Sequence, residues 1–531
     1  MSTIAKNPIL SGFYPDPSIC VKGYDYYIVN SSFAYFPGLP IMHSRDLAHW
    51  EQIGNVLDRE SQLPLENAGH SQGLFAPTIR YNEKDGLFYV ICTNVSHGGN
   101  FVVTAENPEG PWSEPHFIEG ADGIDPSLMF DEDGKCYYIG THENPDGCKY
   151  NGDYYIYIQE FDTKEFKLVG EQHNVWNGAL KNCIWPEGPH LYHIGDYYYI
   201  LHAEGGTGPE HAVCVARSKS VFGPFENNPC NPIFTHRHLG VRYPVKYVGH
   251  GDMFQTSEGE WYMVMLAVRP ANGYTTMGRE TFLAKVLFEN DWPIVNPGVG
   301  ILTEELLIDL DEEIPECEDT SRPNVDKYYD FRKMKELGPE WLSLRKPVND
   351  LYKFSKDKGL MLKCSTDNLV ERTTPSFLAI RQDSHMFECS ASLFTDNLYM
   401  GAKAGLVLMQ SNDFNIRFEI TDCRGALIMC KEGKEEELAR VVVNDSPATV
   451  RFVMLGTKMN VSCGRGKNLE TVLDGVDVSY LSTEVAGGFV GNTIGIYATD
   501  GEDRPLPVFA EFASFDYRRL IVRRYRKEDI E

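Results

Sequence analysis

Short apolar runs alternate with polar turns along the first three hundred residues, and one such pattern recurs five times. Each copy consists of a short strand, a turn containing Gly or Asp, and a strand rich in tyrosine, isoleucine and valine, which is typical of a β-hairpin. The copies are DPSICVKGYDYYIVNSS from Asp16, APTIRYNEKDGLFYVICTN from Ala76, DPSLMFDEDGKCYYIGTH from Asp125, EGPHLYHIGDYYYILHAEG from Glu187 and GDMFQTSEGEWYMVMLAV from Gly251.

A second pattern closes each repeat. SRDLAHWEQIG, ENPEGPWSEPHFI, FDTKEFKLVGE, SKSVFGPFENN and FENDWPIVNPG each place an aromatic residue after a turn, where an outer strand would lie. Five units of about four strands, with almost no helical periodicity, predict an all-β fold whose residues 1–309 form a five-bladed β-propeller. The first strand of each unit is expected to lie innermost, next to the central axis.

The composition of the chain changes after Asp309. LDEEIPECEDTSRPN is acidic and contains proline, so residues 310–325 are predicted to be a linker. Beyond it, GLVLMQSNDFNIRFEI, RVVVNDSPATVRFVML and TIGIYATDG alternate apolar and polar positions between turn signals. This pattern predicts a β-sandwich domain over residues 326–531.

The net charge of the chain excludes some classes of binding partner. The 531 residues include 49 Lys and Arg against 76 Asp and Glu, which gives a formal charge of −27. An acidic surface repels nucleic-acid phosphates and anionic lipid, so we expect neither nucleic acid nor a membrane as partner. A neutral ligand fits better. The length and the 42% hydrophobic content allow a large core and at least two domains.

The expected compartment is the cytoplasm. The first residues, MSTIAKNPILSG, contain no apolar signal segment, and the longest apolar runs are too short to span a bilayer. The 13 cysteines show neither a C-x-x-C pair nor a His/Cys spacing typical of zinc motifs. They are therefore interpreted as reduced thiols, mostly packed as small apolar groups.

The repeats suggest where chemistry occurs. If the five copies are equivalent, Asp16, Asp125 and Glu187 occupy matching positions on inner strands and converge at one face of the axis. Asp16 stands between two prolines in FYPDPSI, which leaves its backbone few conformations. An Asp next to proline is also common in turns. Three acids at one repeat position favour a working site instead, because clustered carboxylates raise one another's pKa.

Two carboxyl groups in different environments can hydrolyse a glycosidic bond, one as acid and one as base. Glu187 lies among apolar and aromatic residues in NCIWPEGPHLY, which should raise its pKa, so it is the predicted acid. Asp16, held by its prolines, is the predicted base that positions water. Asp125 is predicted to tune Glu187 and to orient the sugar.

Other uses of these residues remain open. Calcium is the competing ligand for the acids, although they are dispersed rather than close in sequence. His250, in YVGHGDMF, should face the axis either as a hydrogen-bonded core residue or as a site residue. Arg279, in TTMGRETFL, can pair with a carboxylate and a sugar hydroxyl. A carbohydrate-binding lectin is the non-enzymatic alternative, but it needs no acid and base.

Two short motifs are interpreted as chance matches. GHSQG, from Gly69 to Gly73, matches the G-x-S-x-G of serine hydrolases, but no buried strand precedes Ser71 and no helix follows it. GGTGPE is too weak a pattern for a nucleotide-binding loop.

Five motifs together resemble those of glycoside hydrolase family 43, in particular its β-xylosidases and α-L-arabinofuranosidases. They are NPILSGFYPDPSI, GIDPSLMFD, WPEGPHLY, VGHGDMF and MGRETFL, and they follow one another across the whole predicted propeller. The resemblance implies an inverting hydrolase with Asp16 as base, Asp125 as modulator of a pKa and Glu187 as acid.

The resemblance also assigns residues around the sugar. It implies that Arg279 binds substrate, that Phe33 forms a pocket wall, and that His250 is an axial histidine that contacts water or a cation, Ca²⁺ for example, in some relatives. Phe75 stands where many xylosidases of this kind have tryptophan, so the sugar platform is expected to be smaller or differently shaped. Tyr14 is a second departure from the pattern.

The resemblance extends to the C-terminal domain, in which one loop closes the pocket and limits substrates to chain ends. The edge around Asp500 to Pro507 is a candidate for that loop, and the contacting residue is left open. The predicted activity is the release of xylose from the non-reducing ends of short xylooligosaccharides, with arabinofuranose or both sugars as the alternative. No organic cofactor is expected, an axial cation is possible, and so is a homo-oligomer.

Overall fold

The computed structural model describes residues 2–310, 326–501 and 506–520, and these residues are almost entirely β-structure. The all-β prediction is therefore confirmed. The helical elements among them are the α-helix Thr483–Ala486 and the 3-10 helices Glu60–Gln62, Arg237–Leu239, Asn349–Leu351 and Ser479–Leu481. Among the described residues, no helix combines the length and the apolar character needed to cross a membrane.

Residues 18–295 form five antiparallel sheets of four strands each, numbered 1 to 5 along the chain. Their first strands are Ser18–Lys22, Leu74–Asn82, Ile124–Phe130, Glu187–Ile194 and Lys246–Gln255. Their second strands are Asp25–Val29, Leu87–Asn94, Cys136–Glu143, Tyr197–Glu204 and Trp261–Val268. Their third strands are Gly38–Ser44, Gly99–Ala105, Tyr154–Asp162, Ala212–Ser218 and Glu280–Glu289. Their outer strands are Glu51–Leu57, His116–Phe117, Lys167–Trp176, Glu226–Asn227 and Trp292–Val295.

The five sheets close into a ring. The first strand of each sheet contacts the first strand of the next, and the first strand of sheet 5 contacts that of sheet 1. Outside the ring, strand Ser2–Lys6 pairs with Glu305–Asp309 and so joins the two ends of this unit. The five repeated hairpins of the sequence are the first two strands of the five sheets.

An apolar cluster lies between each pair of neighbouring sheets, which explains why the strands are apolar at consecutive positions. Because side chains alternate across a strand, neighbouring residues face opposite sheets. Phe88 packs toward sheet 1 and Tyr89 toward sheet 3, while Ile200 packs toward sheet 3 and Leu201 toward sheet 5. Each sheet is thus buried on both faces, as a ring of sheets requires.

The second unit consists of two sheets packed face to face on a common core, which is a β-sandwich. The larger sheet contains Asp326–Asp330, Tyr352–Ser355, Gly359–Lys363, Met386–Phe394, Ala448–Leu455, Lys458–Arg465, Asn468–Asp477 and Phe509–Arg519. The smaller contains Ser376–Arg381, Lys403–Ser411, Phe414–Thr421, Arg424–Lys431, Lys434–Val442 and Thr493–Thr499. Most of the predicted linker, residues 311–325, lies outside the described residues.

The two units share a strand pair and an apolar cluster. Tyr35–Phe36 pairs with Ser343–Leu344 across the boundary, and Phe33 of the first unit packs in one cluster with residues of the sandwich. Next to that strand pair, the buried Arg345 donates to the carbonyl oxygen of Ala68 at 2.7 Å. A large apolar contact of this kind fixes the sandwich on the first unit.

Candidate active site

At corresponding places on four inner strands and just before the fifth, Ser18–Lys22, the backbone adopts a positive φ. The residues and angles are Asp16 (51°), Ala76 (34°), Asp125 (55°), Gly188 (56°) and His250 (48°). In sheets 2 to 5 this residue lies where the pairing of the first strand shifts register, as at a β-bulge. A positive φ is uncommon for residues other than glycine, and such positions concentrate at functional sites.

The register corrects one prediction from the repeats. Glu187 pairs with Ala203 just before the shift, as Ile124 does in sheet 3 with its own partner strand. Gly188, not Glu187, therefore occupies the place of Asp125. The reason is local: EGP carries one residue more between the acid and the proline than DP does. Gly188 is required there, because a Cβ would lie 2.8 Å from the His250 ring.

One cavity of about 310 Å³ opens at this face of the ring. All seven residues predicted from the sequence line it: Asp16, Phe33, Phe75, Asp125, Glu187, His250 and Arg279. The other lining residues are Ala76, Ile124, Tyr154, Trp185, Gly206, Thr207 and Phe489. A cavity of this volume is at the small end of the range for small-molecule sites.

Asp16 is buried and surrounded by donors. Its Oδ1 accepts a hydrogen bond from Arg279 Nη1 at 2.6 Å, and its Oδ2 accepts one from Ser31 Oγ at 2.6 Å. Ser31 Oγ itself accepts from the Ala76 N–H at 2.7 Å, so its proton points to Asp16. Burial raises the pKa of Asp16, but Arg279, then His250 and Ser31, outweigh it and hold the pKa below its ordinary value. The carboxyl is therefore ionised at neutral pH.

The pKa values of Glu187 and Asp125 are shifted in the opposite direction, upward. Burial, followed by the charges of Asp125 and Asp16, raises the pKa of Glu187 well above its ordinary value. Burial also raises the pKa of Asp125, although His250 and a hydrogen bond from the Gly188 N–H at 3.0 Å oppose the rise. One cavity thus holds a carboxyl that favours the ionised form and one that favours the protonated form, as acid–base catalysis needs.

Aromatic rings form one wall of the cavity. Phe33 and Phe75 meet edge to face at 5.1 Å between centroids, and Phe489 stacks on Phe33 at 6.2 Å. The Arg279 guanidinium carbon lies 5.8 Å from the Phe33 centroid and 5.5 Å from that of Phe489. Phe75, the departure from tryptophan, therefore belongs to an all-phenylalanine wall around the arginine that binds Asp16.

Phe489 comes from the sandwich, and sequence reasoning missed it. The expected closing edge, Asp500 to Pro507, is described only in part, since residues 502–505 lie outside the described residues. Asp500 lines a different depression, next to Arg417 and Glu435. Among the described residues, the segment of the sandwich that reaches the cavity precedes strand Thr493–Thr499, and the candidate edge stays a prediction.

Contacts from two sides hold the segment that carries Phe489. On one side, the Phe489 N–H donates to Ser71 Oγ at 2.8 Å, which gives the serine of GHSQG a role in positioning this segment. On the other side, Thr275 Oγ1 donates to Glu484 at 2.8 Å. There the backbone comes so close that a Cβ on Gly278 would lie 2.7 Å from the Gly491 nitrogen.

Tyr154, Trp185 and Thr207 were also missed. A signal for Trp185 exists, since it stands two residues before Glu187, and Gly206 makes room for it: a Cβ there would lie 2.7 Å from the indole ring. The GGTGPE segment, rejected as a nucleotide loop, thus lines the cavity. Tyr14 is not among the lining residues, and its ring lies 4.7 Å from the Arg381 guanidinium carbon.

Below the cavity, the side chain of Arg80 lies on the axis of the ring. Its Nη1 donates to Asp252 Oδ2 at 2.8 Å, and its Nη2 lies 2.9 Å from His190 Nδ1. It also contacts Ser18 and Ser127. The side chain of Arg80, from sheet 2, thus reaches the first strands of all four remaining sheets. This guanidinium supplies a fixed positive charge at the centre.

The donor set around His250 does not fit a calcium ion. Calcium takes six to eight oxygen ligands, whereas His250 offers nitrogen. The nearest carboxylate, Asp16, is already bound by Arg279 and Ser31, with its Oδ1 3.9 Å from His250 Nδ1.

Replacing Arg80 with methionine is expected to destabilise the fold by about 3 to 5 kcal/mol, because the fully buried Asp252 carboxylate would lose its cation. Denaturant unfolding measures the loss. Arg45→Met is the control: its pair with Asp25 is partly exposed, so it should cost less than about 1 kcal/mol. Equal losses for the two variants would contradict the role given to Arg80.

The site and the fold can now be compared with known proteins. Residues 5–293 match the model of glycosyl hydrolases family 43, and residues 329–518 match the beta xylosidase C-terminal concanavalin A-like domain. A xylosidase/arabinosidase of Butyrivibrio fibrisolvens is 48% identical over 503 residues, which is 93% of this chain and 96% of the relative. A non-reducing end alpha-L-arabinofuranosidase of Bacteroides ovatus is 36% identical over 527 residues, 97% of this chain and 95% of the relative.

The crystal structure of a xylan beta-1,4-xylosidase from Bacillus halodurans superimposes with a TM-score of 0.87 at 32% identity, over 97% of this chain and 100% of that one. The two all-β units and the carboxyl-lined cavity are those of a glycoside hydrolase. This chain belongs to glycosyl hydrolase family 43.

Proposed function

We propose that this enzyme is an exo-acting, inverting hydrolase that releases xylose from the non-reducing ends of short β-1,4-xylooligosaccharides, and that its five sheets are the blades of a five-bladed propeller. The observation that carries the mechanism is the opposite pKa shift of Asp16 and Glu187 within one cavity. The sugar is suggested by relatives named for xylosidase activity.

In this mechanism the two carboxyls act on opposite sides of the glycosidic bond. Glu187 gives its proton to the bridging oxygen while the bond from that oxygen to C1 breaks, so the rest of the oligosaccharide leaves as an alcohol. A water molecule attacks C1 from the other face and gives its proton to Asp16. Exchange with solvent then returns a proton to Glu187 and removes one from Asp16.

Asp125 and Arg279 support these roles without exchanging protons. The charge of Asp125 raises the pKa of Glu187 and so helps to keep the acid protonated. Arg279 holds Asp16 ionised, and its buried Nε–H has no acceptor among the described residues. That N–H is available to a hydroxyl of the bound sugar, which would satisfy it.

Inversion predicts both a distance and a product. Inverting glycosidases hold their carboxyls about 6.5 to 9.5 Å apart, which leaves room for the water, so Asp16 and Glu187 should be separated by that distance. A β-xyloside should yield α-xylose first, which proton NMR observes before mutarotation. If β-xylose forms first, the mechanism is retaining and Asp16 is the nucleophile instead.

Phe489 is proposed to limit substrates to chain ends. Phe489→Ala should raise KM for p-nitrophenyl β-xyloside by about 10- to 150-fold, because the sugar loses an apolar wall worth about 1.5 to 3 kcal/mol, while kcat changes little. Steady-state kinetics measure both constants. Val485→Ala, on the same segment but exposed, is the control and should leave KM unchanged. An unchanged KM in Phe489→Ala would remove this residue from the substrate pocket.

The test of the function compares p-nitrophenyl β-D-xylopyranoside with p-nitrophenyl α-L-arabinofuranoside. Faster release from the xyloside is expected. The second candidate, arabinofuranosidase or dual activity, is favoured by relatives named for arabinose and by the phenylalanine at position 75. Binding of xylooligosaccharides without release of either sugar would support a lectin and contradict the catalytic roles.

The remaining expectations are proposals of the same kind. We propose that hydrolysis needs no organic cofactor and that Arg80 takes the place of an axial cation. Millimolar calcium added to the dialysed enzyme should then leave kcat/KM unchanged. The acidic surface supports a neutral oligosaccharide as partner rather than nucleic acid or membrane. Cytoplasmic location and a homo-oligomer stay predictions from the sequence.

A further inference from the structure

A second cluster of reactive side chains lies inside sheet 4, separate from the carboxyls of the cavity. His202 and Glu204 alternate along the strand Tyr197–Glu204, and Cys214 on the next strand pairs directly with His202. One ligand atom from each of the three lies within 4.8 Å of the others. All three side chains are buried, so the cluster is enclosed by protein.

A fourth side chain joins this cluster from a loop. Cys183 is buried, and its Sγ donates to the Asn177 carbonyl oxygen at 3.6 Å. Gly178 leaves room for the pair: a Cβ there would lie 2.0 Å from Cys183 Sγ and 3.1 Å from Glu204 Oε2. The mutual distances of 4.8 Å or less join His202, Glu204 and Cys214, and Cys183 lies beside Glu204 at the edge of this cluster.

Hydrogen bonds within the protein satisfy only some of the polar atoms of this cluster. Glu204 Oε2 accepts from the Ala179 N–H at 2.9 Å and lies 3.4 Å from His202 Nε2. The Cys183 and Cys214 thiols are hydrogen-bonded to the Glu204 carboxylate, whereas His202 Nδ1 has no hydrogen-bond partner among the described residues. Buried polar atoms without partners are rare and call for an explanation, such as a bound ion.

We propose that Cys183, His202, Glu204 and Cys214 form a structural zinc site. Zinc prefers four ligands of sulfur, nitrogen and carboxylate oxygen, and a site with four protein ligands is closed to substrate. Calcium and magnesium prefer oxygen ligands, which a site with two sulfurs does not provide. Binding releases the two thiol protons to solvent, and the thiolates and carboxylate then surround the cation without any change of oxidation state.

The position of the site links it to the active cavity. Cys183 stands two residues before Trp185 and four before Glu187, and both of these line the cavity. The loop between them is held to its neighbours by backbone hydrogen bonds, such as Gly205 N–H to Ile184 O at 2.9 Å. Zinc on Cys183 would fix the beginning of this loop to sheet 4, so it should stabilise the fold and the Trp185 wall without taking part in hydrolysis.

The first experiment uses the full-length wild-type enzyme, freed of metal by a chelator and dialysed. Cobalt(II) should bind in one equivalent and give sulfur-to-cobalt charge-transfer absorption with the intense visible bands of a tetrahedral site, and zinc should displace it. Zinc X-ray absorption should show two sulfur ligands at about 2.3 Å and two lighter ligands at about 2.0 to 2.2 Å. Binding of less than about a tenth of an equivalent, or a spectrum without sulfur ligands, would overturn the proposal.

Variants then assign the ligands. Cys183→Ser and Cys214→Ser should each weaken zinc binding by more than about tenfold and diminish the charge-transfer band, and zinc should no longer raise their Tm. Cys389→Ser, which removes a buried thiol of the sandwich, is the control and should keep the wild-type affinity. Unchanged affinity in both site variants would overturn the assignment. If these variants fail to fold, the absorption spectrum of the wild type decides.

Discussion

Replacing Glu187 with glutamine is expected to lower kcat/KM for xylobiose about 100- to 10,000-fold, the usual contribution of a general acid. Glutamine keeps the shape of the side chain but has no proton to give, so the leaving sugar must depart as an alkoxide. The effect should depend on the leaving group. With an activated substrate such as a 2,4-dinitrophenyl xyloside, protonation matters little, and most of the activity should remain.

The pH profile provides a second measurement on Glu187. Its pKa is raised in the folded enzyme, so the acid form is present at neutral pH and is lost as pH rises through that pKa. The alkaline limb of kcat/KM should therefore reflect Glu187 and should flatten in the glutamine variant with the activated substrate. Glu210→Gln changes an exposed carboxyl between the second and third strands of the same sheet, so it is the control and should keep both limbs. Equal losses on activated and natural substrates would contradict the role of acid.

Replacing Asp16 with asparagine is expected to lower kcat/KM to a similar extent, about 100- to 10,000-fold, for every substrate whatever its leaving group. The attacking water loses its base in this variant, and a better leaving group does not replace it. Because the pKa of Asp16 lies below its ordinary value, the base form is lost only as pH falls through that low pKa. The acidic limb of the wild-type profile should therefore lie at low pH and disappear in the variant.

Asp16→Asn also removes the partner of the buried Arg279, so loss of stability must be separated from loss of catalysis. Asp383→Asn is the matched control, because Asp383 is likewise buried and forms an ion pair with Arg519 at 2.7 Å. Both variants should have a lower Tm, while only Asp16→Asn should lose kcat. If Asp383→Asn loses kcat to the same extent, the effect at Asp16 is structural and the base must be sought elsewhere.

The hairpins and the residues of the cavity could be predicted because their signals are local. A sheet buried on both faces requires apolar residues at consecutive positions, and the repeats display them around a polar turn. The acids stand next to prolines at the start of three of the five inner strands, where a position in the repeat corresponds to a position around the ring. Asp16 and Asp125 follow this rule, since both lie at the positive φ.

Glu187 and Phe489 show where local signals end. The register of Glu187 depends on how many residues the bulge contains, which is set by hydrogen bonds to the neighbouring strand rather than by the residue type. Phe489 reaches the cavity through contacts between the two units. Its contact with Ser71 joins residues more than 400 positions apart in the sequence. The cluster of Cys183, His202, Glu204 and Cys214 is likewise assembled by pairing across strands, so its spacing matches no sequence motif.

At the five places with a positive φ, the backbone sets the direction of the side chain independently of the residue type. Five corresponding places carry aspartate, alanine, aspartate, glycine and histidine on nearly the same backbone, and all except Gly188 line the cavity. The direction of each is set by the bulge and its neighbours, so the chemistry at one place can change while the other four stay aligned. The scaffold therefore allows the residue type to vary wherever a side chain has room, which is not the case at Gly188. Ala76 is the place where a polar residue could add a new contact to the substrate without refolding the chain.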